Sequence, residues 1–211
     1  MFRDNLRAGI HHVGVALRDP ESFAVAWSEG RSAYRWPVWV SLLATAIVGT
    51  TTYGMTMGLL GGAHEIAYKS FICTLAAGLA WAIPLPALYI LNSLSGSRLA
   101  ASSTLLAALV TVSWGGLAMI ASIPINWFFT ATIPNARFVL LVNLIVFTGV
   151  GVSMVDVFRR VMLRIEPERN FAPVWWLIIV GVIGAELFYF FGLFQFAPTV
   201  LSSMHWPLFA G

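Results

Sequence analysis

The sequence predicts an all-α polytopic membrane bundle of about five transmembrane helices, with the N-terminus cytoplasmic and the C-terminus outside. Three observations predict it. Of the 211 residues, 59% are hydrophobic and only 10% charged, where a soluble domain carries roughly a quarter charged residues. Apolar stretches of about 20 residues recur five times, and about 20 residues at roughly 1.5 Å each cross a hydrocarbon core of roughly 30 Å. The basic residues, 12 in all, fall almost entirely on alternate connections, which orients the chain.

The first 36 residues form a mixed arm carrying Arg3, Asp4, Arg7, Arg18, Glu21, Glu29, Arg31 and Arg35. A signal peptide would instead place a short apolar run and a small-residue cleavage site directly after its basic region, so a retained cytoplasmic arm is expected. Within it, Asp19 suits a helix N-cap and Pro20 the first helical position, and Gly30 suits the end. Phe23, Trp27 and Tyr34 share one face at intervals of four and seven residues. Two readings of that face stay open: it lies in the lipid headgroup layer, or it packs on the ends of the spans or on a partner.

The spans are read at 37–60, 71–94, 103–123, 138–157 and 173–195, making 37–195 the transmembrane domain. Strands of a β-barrel would be shorter and would alternate in polarity, so these runs are helices. Pro84 and Pro86 predict a kink in the second span. Residues 196–211, with Pro198 and Pro207, read as an outer interfacial tail. Cytoplasmic segments then hold Arg3, Arg7, Arg18, Arg31, Arg35, Arg98, Arg159, Arg160, Arg164 and Arg169, and outer ones only Lys69 and Arg137. Trp36, Trp39, Trp175 and Trp176 fall at the inner boundary and Trp127 and Trp206 at the outer one, as an aromatic belt does.

Reactive constellations are few. His11, His12, His64 and His205 all lie outside the spans, and no Gly-x-Ser-x-Gly elbow is present, so no catalytic residue is assigned. His64-Glu65 begins like a zinc motif, but Tyr68 stands where the second histidine belongs; for His64, Glu65 and His205 the better reading is solvated interfacial residues, and no metal is expected. Cys73 is the sole cysteine, so no internal disulfide can form. No sequence feature names a cofactor. The arginines are explained by topology and anionic lipid, and no nucleic-acid partner is expected.

Intramembrane polarity is more informative. Asp156 has Arg159 and Arg160 three and four residues on, on one helix face. Glu186 sits about 13 residues into the fifth span, where a carboxylate costs several kcal/mol unless paired or neutral. Depth matching makes Asn143 its expected partner, with Trp114 and Tyr189 as others. A protonated interhelical contact is the favoured reading, and a proton or cation site of a small transporter the rival. Small residues at Gly54 and Gly58, at Gly149 and Gly151, and at Gly181 and Ala185 predict close helix packing, within the chain or with a partner.

The stretch Pro86-Ala87-Leu88-Tyr89-Ile90-Leu91, leading to Gly96 in a polar turn and then a span ending near Pro124, is similar to bacterial members of the Yip family. Asp19-Pro20 with Phe23 ahead of the first span also resembles their opening, as does the five-span topology. The Asp-Leu-Tyr-Gly-Pro motif of eukaryotic members is absent, so no Rab-binding role is carried over. The resemblance implies a non-enzymatic protein acting through other proteins or lipids. The expected function is a non-catalytic subunit or scaffold of a bacterial inner membrane, in a hetero- or homo-oligomer with membrane proteins. The alternatives are the transporter using Glu186 and an accessory subunit of a pigment- or cofactor-containing energy-transducing complex, suggested by nine Trp and the outer histidines.

Overall fold

Asp19 and Pro20 begin a helix as their chemistry dictates, directly after helical residues 14–18. In the computed structural model, which describes residues 11, 14–30, 35–133, 135–168 and 174–194, α1 spans Pro20–Ser28 and the Asp19 carboxylate accepts a hydrogen bond from Ser22 N at 3.1 Å. Hydrogen bonds from the Ser22 side chain and backbone hold that carboxyl below its ordinary range. The chain leaves α1 through Gly30 at φ 71°, a left-handed conformation that favours glycine.

The remaining helices are α2 (Arg35–Met57), α3 (Gly62–Ala82), α4 (Leu85–Leu94), α5 (Ala101–Thr132), α6 (Ala136–Ile165) and α7 (Trp175–Phe190), with a short 3-10 turn at Leu59–Gly61 between α2 and α3. No strand occurs among the described residues. Four segments are long and apolar enough to cross a membrane: Trp36–Met57, Gly62–Leu94, Ala101–Thr132 and Arg137–Ile165. The fifth apolar helix, α7, has 16 residues and covers roughly 24 Å at 1.5 Å per residue. Residues 196–211 lie outside the described part.

Helix ends depart from the sequence reading in both directions: the first span ends at Met57 and the fifth covers only Trp175–Phe190, while the three between them run long. The second span starts at Gly62, not 71, because Lys69 and Ser70 turn into the bundle and are buried. The third runs past Pro124 to Thr132. The fourth continues to Ile165, carrying exposed Arg159, Arg160 and Arg164 on its solvent side. A helix does not stop where its residues cease to be apolar; it stops where backbone bonding or packing fails. At Pro84 and Pro86 that failure occurs, and α3 gives way to α4.

Close approach organises the packing. α2 lies between α3 and α5, α6 lies beside α5, α7 lies on α3, and α1 lies against α6 and α5. A Cβ added to Gly49 would overlap the Gly116 carbonyl, and one on Gly116 would sit 2.9 Å from Ala46 Cα. One on Gly54 would lie 2.7 Å from Lys69 O, and one on Gly58 2.5 Å from Glu65 O. These glycines let α2 touch α5 on one side and α3 on the other, the contact that drives helix association in lipid.

Three side-chain clusters fill the bundle, one of them beneath α1. Toward the end marked by Arg98 and Arg164, Trp81, Leu88, Ala107, Phe158, Val161 and Trp176 pack together. Toward the opposite end, Tyr53, Met57, Cys73, Met119, Val146 and Phe188 do so. Trp176 is fully buried between Trp81 and Phe158, at ring-centroid distances of 5.4 and 6.0 Å. Its Nε1 donates to Pro84 O at 3.0 Å. This corrects its expected place in an aromatic belt: the kink presents a carbonyl inside the bundle, and the indole is drawn in to meet it.

Candidate functional site

Buried polar side chains in α2, α5 and α6 form a seam. Tyr53 donates its hydroxyl to Asn143 Oδ1 at 2.8 Å, and Asn143 Nδ2 donates to Val139 O at 2.8 Å. One turn further along α2, Asn126 Nδ2 donates to Thr56 Oγ1 at 2.8 Å, and Thr56 donates to Tyr53 O at 2.6 Å. Tyr53, Asn126 and Asn143 are all fully buried. Between α2 and α3, the hydroxyls of Thr51 and Thr74 lie 2.8 Å apart. The Tyr53–Asn143, Asn126–Thr56 and Thr51–Thr74 contacts each link two helices, which apolar packing alone would do with little specificity, since lipid is as apolar as the interior.

Asn143 is therefore committed to Tyr53, which corrects its expected pairing with Glu186. Glu186 lies on the exposed side of α7, four residues before the C-terminal Phe190. That places it about 6 Å of helix rise from the end, not near the middle of the span. Trp114, a second candidate partner, donates instead to Leu17 O at 3.1 Å. Tyr189 is exposed on the same side of α7 as Glu186.

Small-residue positions divide. Gly54 and Gly58 are consumed within the chain by α3, as described above. Gly181 and Ala185 face outward, and a Cβ on Gly181 would meet nothing within 4 Å; it is Gly184, on the other side of α7, that meets Ala80, at 3.4 Å. Gly149 and Gly151 also have open space around them.

The aromatic face of α1 turns inward. Phe23 and Trp27 are each 6% exposed and pack with Ala16, Val38, Leu42, Leu106 and Val110, with Trp27 edge-on to Trp39 at 5.9 Å. Of the two readings left open, packing on the spans describes these residues; Tyr34 lies outside the described part. Arg160 ties the arrangement together, donating to Glu21 Oε1 and to Asp156 Oδ2, each at 3.0 Å. Nearby, Glu166 accepts from the Ser97 hydroxyl at 2.9 Å and from Arg98 N at 3.0 Å, clipping the α4–α5 turn to the end of α6.

At the opposite end, the Lys69 ammonium is 3% exposed and donates to the carbonyls of Gly192 and Leu193 at 2.7 and 3.0 Å, where the α7 dipole is negative. Tyr68 adds a bond to Phe191 O at 3.2 Å. By sequence Lys69 falls in a connection and Tyr53 draws no notice; a tyrosine inside an apolar run is the available signal for the latter. His64 is exposed and Glu65 half-buried at the start of α3. No group of three His, Cys, Asp or Glu side chains converges among the described residues, and His205 lies outside them.

One face of α7 is open and carries small residues. Ile178, Gly181, Val182, Ala185, Glu186 and Tyr189 are all exposed and follow one another at helical three- and four-residue steps, a single stripe along the helix. It is flat at its two small residues and carries a carboxyl and a phenol near one end. No protein-family model, curated protein or solved structure matches the chain.

Proposed function

We propose that this chain is a non-catalytic membrane subunit or scaffold that works by docking other membrane helices on α7. The observation that supports it is the α7 stripe itself. Gly181 and Ala185 leave room for a second backbone to approach, the contact that lets helices associate where no hydrophobic drive exists. Glu186 adds a hydrogen-bonding group on the same side, near the end of α7, that a docked helix can bond. The buried polar side chains of the seam are meanwhile bonded to one another and stabilise the bundle. A cytoplasmic N-terminus, a bacterial inner membrane and the Yip-like ancestry belong to the same proposal, the first resting on the arginine distribution.

The test is gentle-detergent purification followed by mass spectrometry of co-purifying proteins, on the native chain and on Gly181→Leu and Ala185→Leu. Both substitutions place a large side chain in open space, so the protein itself remains folded. Loss of a co-purifying partner in both variants, at unchanged abundance, is expected. Retention of every partner in both would sink the docking role of α7.

A further inference from the structure

A second feature of the surface, independent of α7, is an apolar crevice of about 170 Å³ between α5 and α6. Ile125 and Phe129 form one wall, and Phe138, Leu141 and Ile145 most of the other. The crevice follows directly after Pro124, the proline inside α5, which removes one backbone hydrogen bond and pushes the preceding turn away. Ile125, Leu141 and Ile145 are each more than half exposed, at 52, 52 and 62%, so the crevice opens sideways toward the lipid phase. For scale, an apolar void of roughly 150 Å³ admits a benzene-sized group.

Its orientation and its mouth are what give it meaning. The α6 lining recurs from Phe138 to Val146 at helical spacing, so the slot runs along the helix for about 12 Å. One leaflet is roughly half of a 30 Å hydrocarbon core, and the slot therefore spans most of a leaflet in the direction an acyl chain takes. At the end nearest the helix terminus stands Arg137, exposed, one residue before the first lining position. Asn135 Oδ1 accepts from Arg137 N and Phe138 N at 3.0 and 3.2 Å, which fixes the backbone at the mouth. No acidic side chain pairs with Arg137 among the described residues.

We infer that this crevice is a phospholipid site: one acyl chain lies along α6 between Phe129 and Ile145, and the lipid phosphate pairs with Arg137. A guanidinium matches phosphate in geometry and charge, and the apolar slot ends where the headgroup begins. A second copy of the chain is the poorer occupant, because symmetric docking on this face would bring two Arg137 guanidinium groups together.

The experiment reconstitutes the full chain in nanodiscs containing a phosphatidylglycerol with a photoactivatable group on one acyl chain, and maps the adducts by mass spectrometry. A diacylglycerol with the same chain but no phosphate is the parallel probe. Adducts should concentrate on residues 125–129 and 138–146. They should fall about fivefold in Arg137→Ala, the effect of one basic residue near a membrane surface, and similarly with the diacylglycerol. Ile145→Trp, at an exposed position, should block the slot and remove them. Adducts spread evenly over exposed Val48, Ile178 and Val182 would mean ordinary boundary lipid and would overturn the site. So would adducts in the crevice that ignore both Arg137 and the phosphate, or a crosslink from the crevice to a second protein chain.

Discussion

Replacing Tyr53 by Phe removes one oxygen from the centre of the bundle. The ring keeps its place, since it is fully buried and lies edge-on to Phe147 at 5.4 Å, so no cavity larger than a hydroxyl is made. What is lost is the 2.8 Å bond to Asn143 Oδ1. Asn143 is itself fully buried, and its Nδ2 is held by Val139 O, so the amide cannot turn to find another donor without breaking that bond. Interhelical hydrogen bonds in membranes average about 0.6 kcal/mol and reach about 1.7; a stranded buried acceptor costs about 1–3 kcal/mol. The expected destabilisation of Tyr53→Phe is therefore about 1 kcal/mol. Asn143→Leu should cost about as much, and the double variant clearly less than the sum, with a coupling near the single-bond value. Reversible unfolding of the reconstituted protein, followed by steric trapping or by SDS titration, measures all three. A Tyr53→Phe variant indistinguishable from the native chain, together with a coupling below about 0.2 kcal/mol, would refute the claim that this bond joins α2 to α6.

Gly49→Ala should be more damaging than Gly181→Ala, because its Cβ would meet the Gly116 carbonyl while that of Gly181 meets nothing; overpacking of this kind costs about 1–3 kcal/mol, read in the same unfolding assay. Glu186→Gln should leave abundance and assembly intact, and a proton-coupled flux in vesicles that this variant abolishes would favour transport over scaffolding. The Asp19 cap should weaken only in acid: its folded carboxyl is held below the ordinary value, so its contribution is present above about pH 4 and is lost as pH falls through the lower folded value. Amide exchange of α1 should show that dependence in the native chain and not in Asp19→Asn. Reporter tags at the N-terminus and in 158–172 should be cytoplasmic and a C-terminal tag outside, as the arginine bias requires; a cytoplasmic C-terminus would mean an even number of crossings.

The fold class and the start of α1 are legible in the amino-acid sequence alone. Hydropathy over windows of about 20 residues marks membrane helices because every backbone polar group in lipid must be bonded within its own segment. Asp19-Pro20 marks the start of α1 because the N-cap is a local matter of one side chain and three residues. Pro84 and Pro86 mark the break between α3 and α4 for the same local reason. Which way each side chain faces was decided only in the assembled bundle. A membrane helix is apolar on all sides, and lipid is no less apolar than the protein interior. No periodic contrast in α7 therefore separates the face that meets Ala80 from the one that carries Gly181, Ala185 and Glu186. Depth matching along straight spans gave Asn143 the wrong partner, because α7 is shorter than its apolar run and Glu186 lies near its end. Lys69 looked like a loop residue until α7 ended beside it, with its terminal carbonyls turned toward the ammonium.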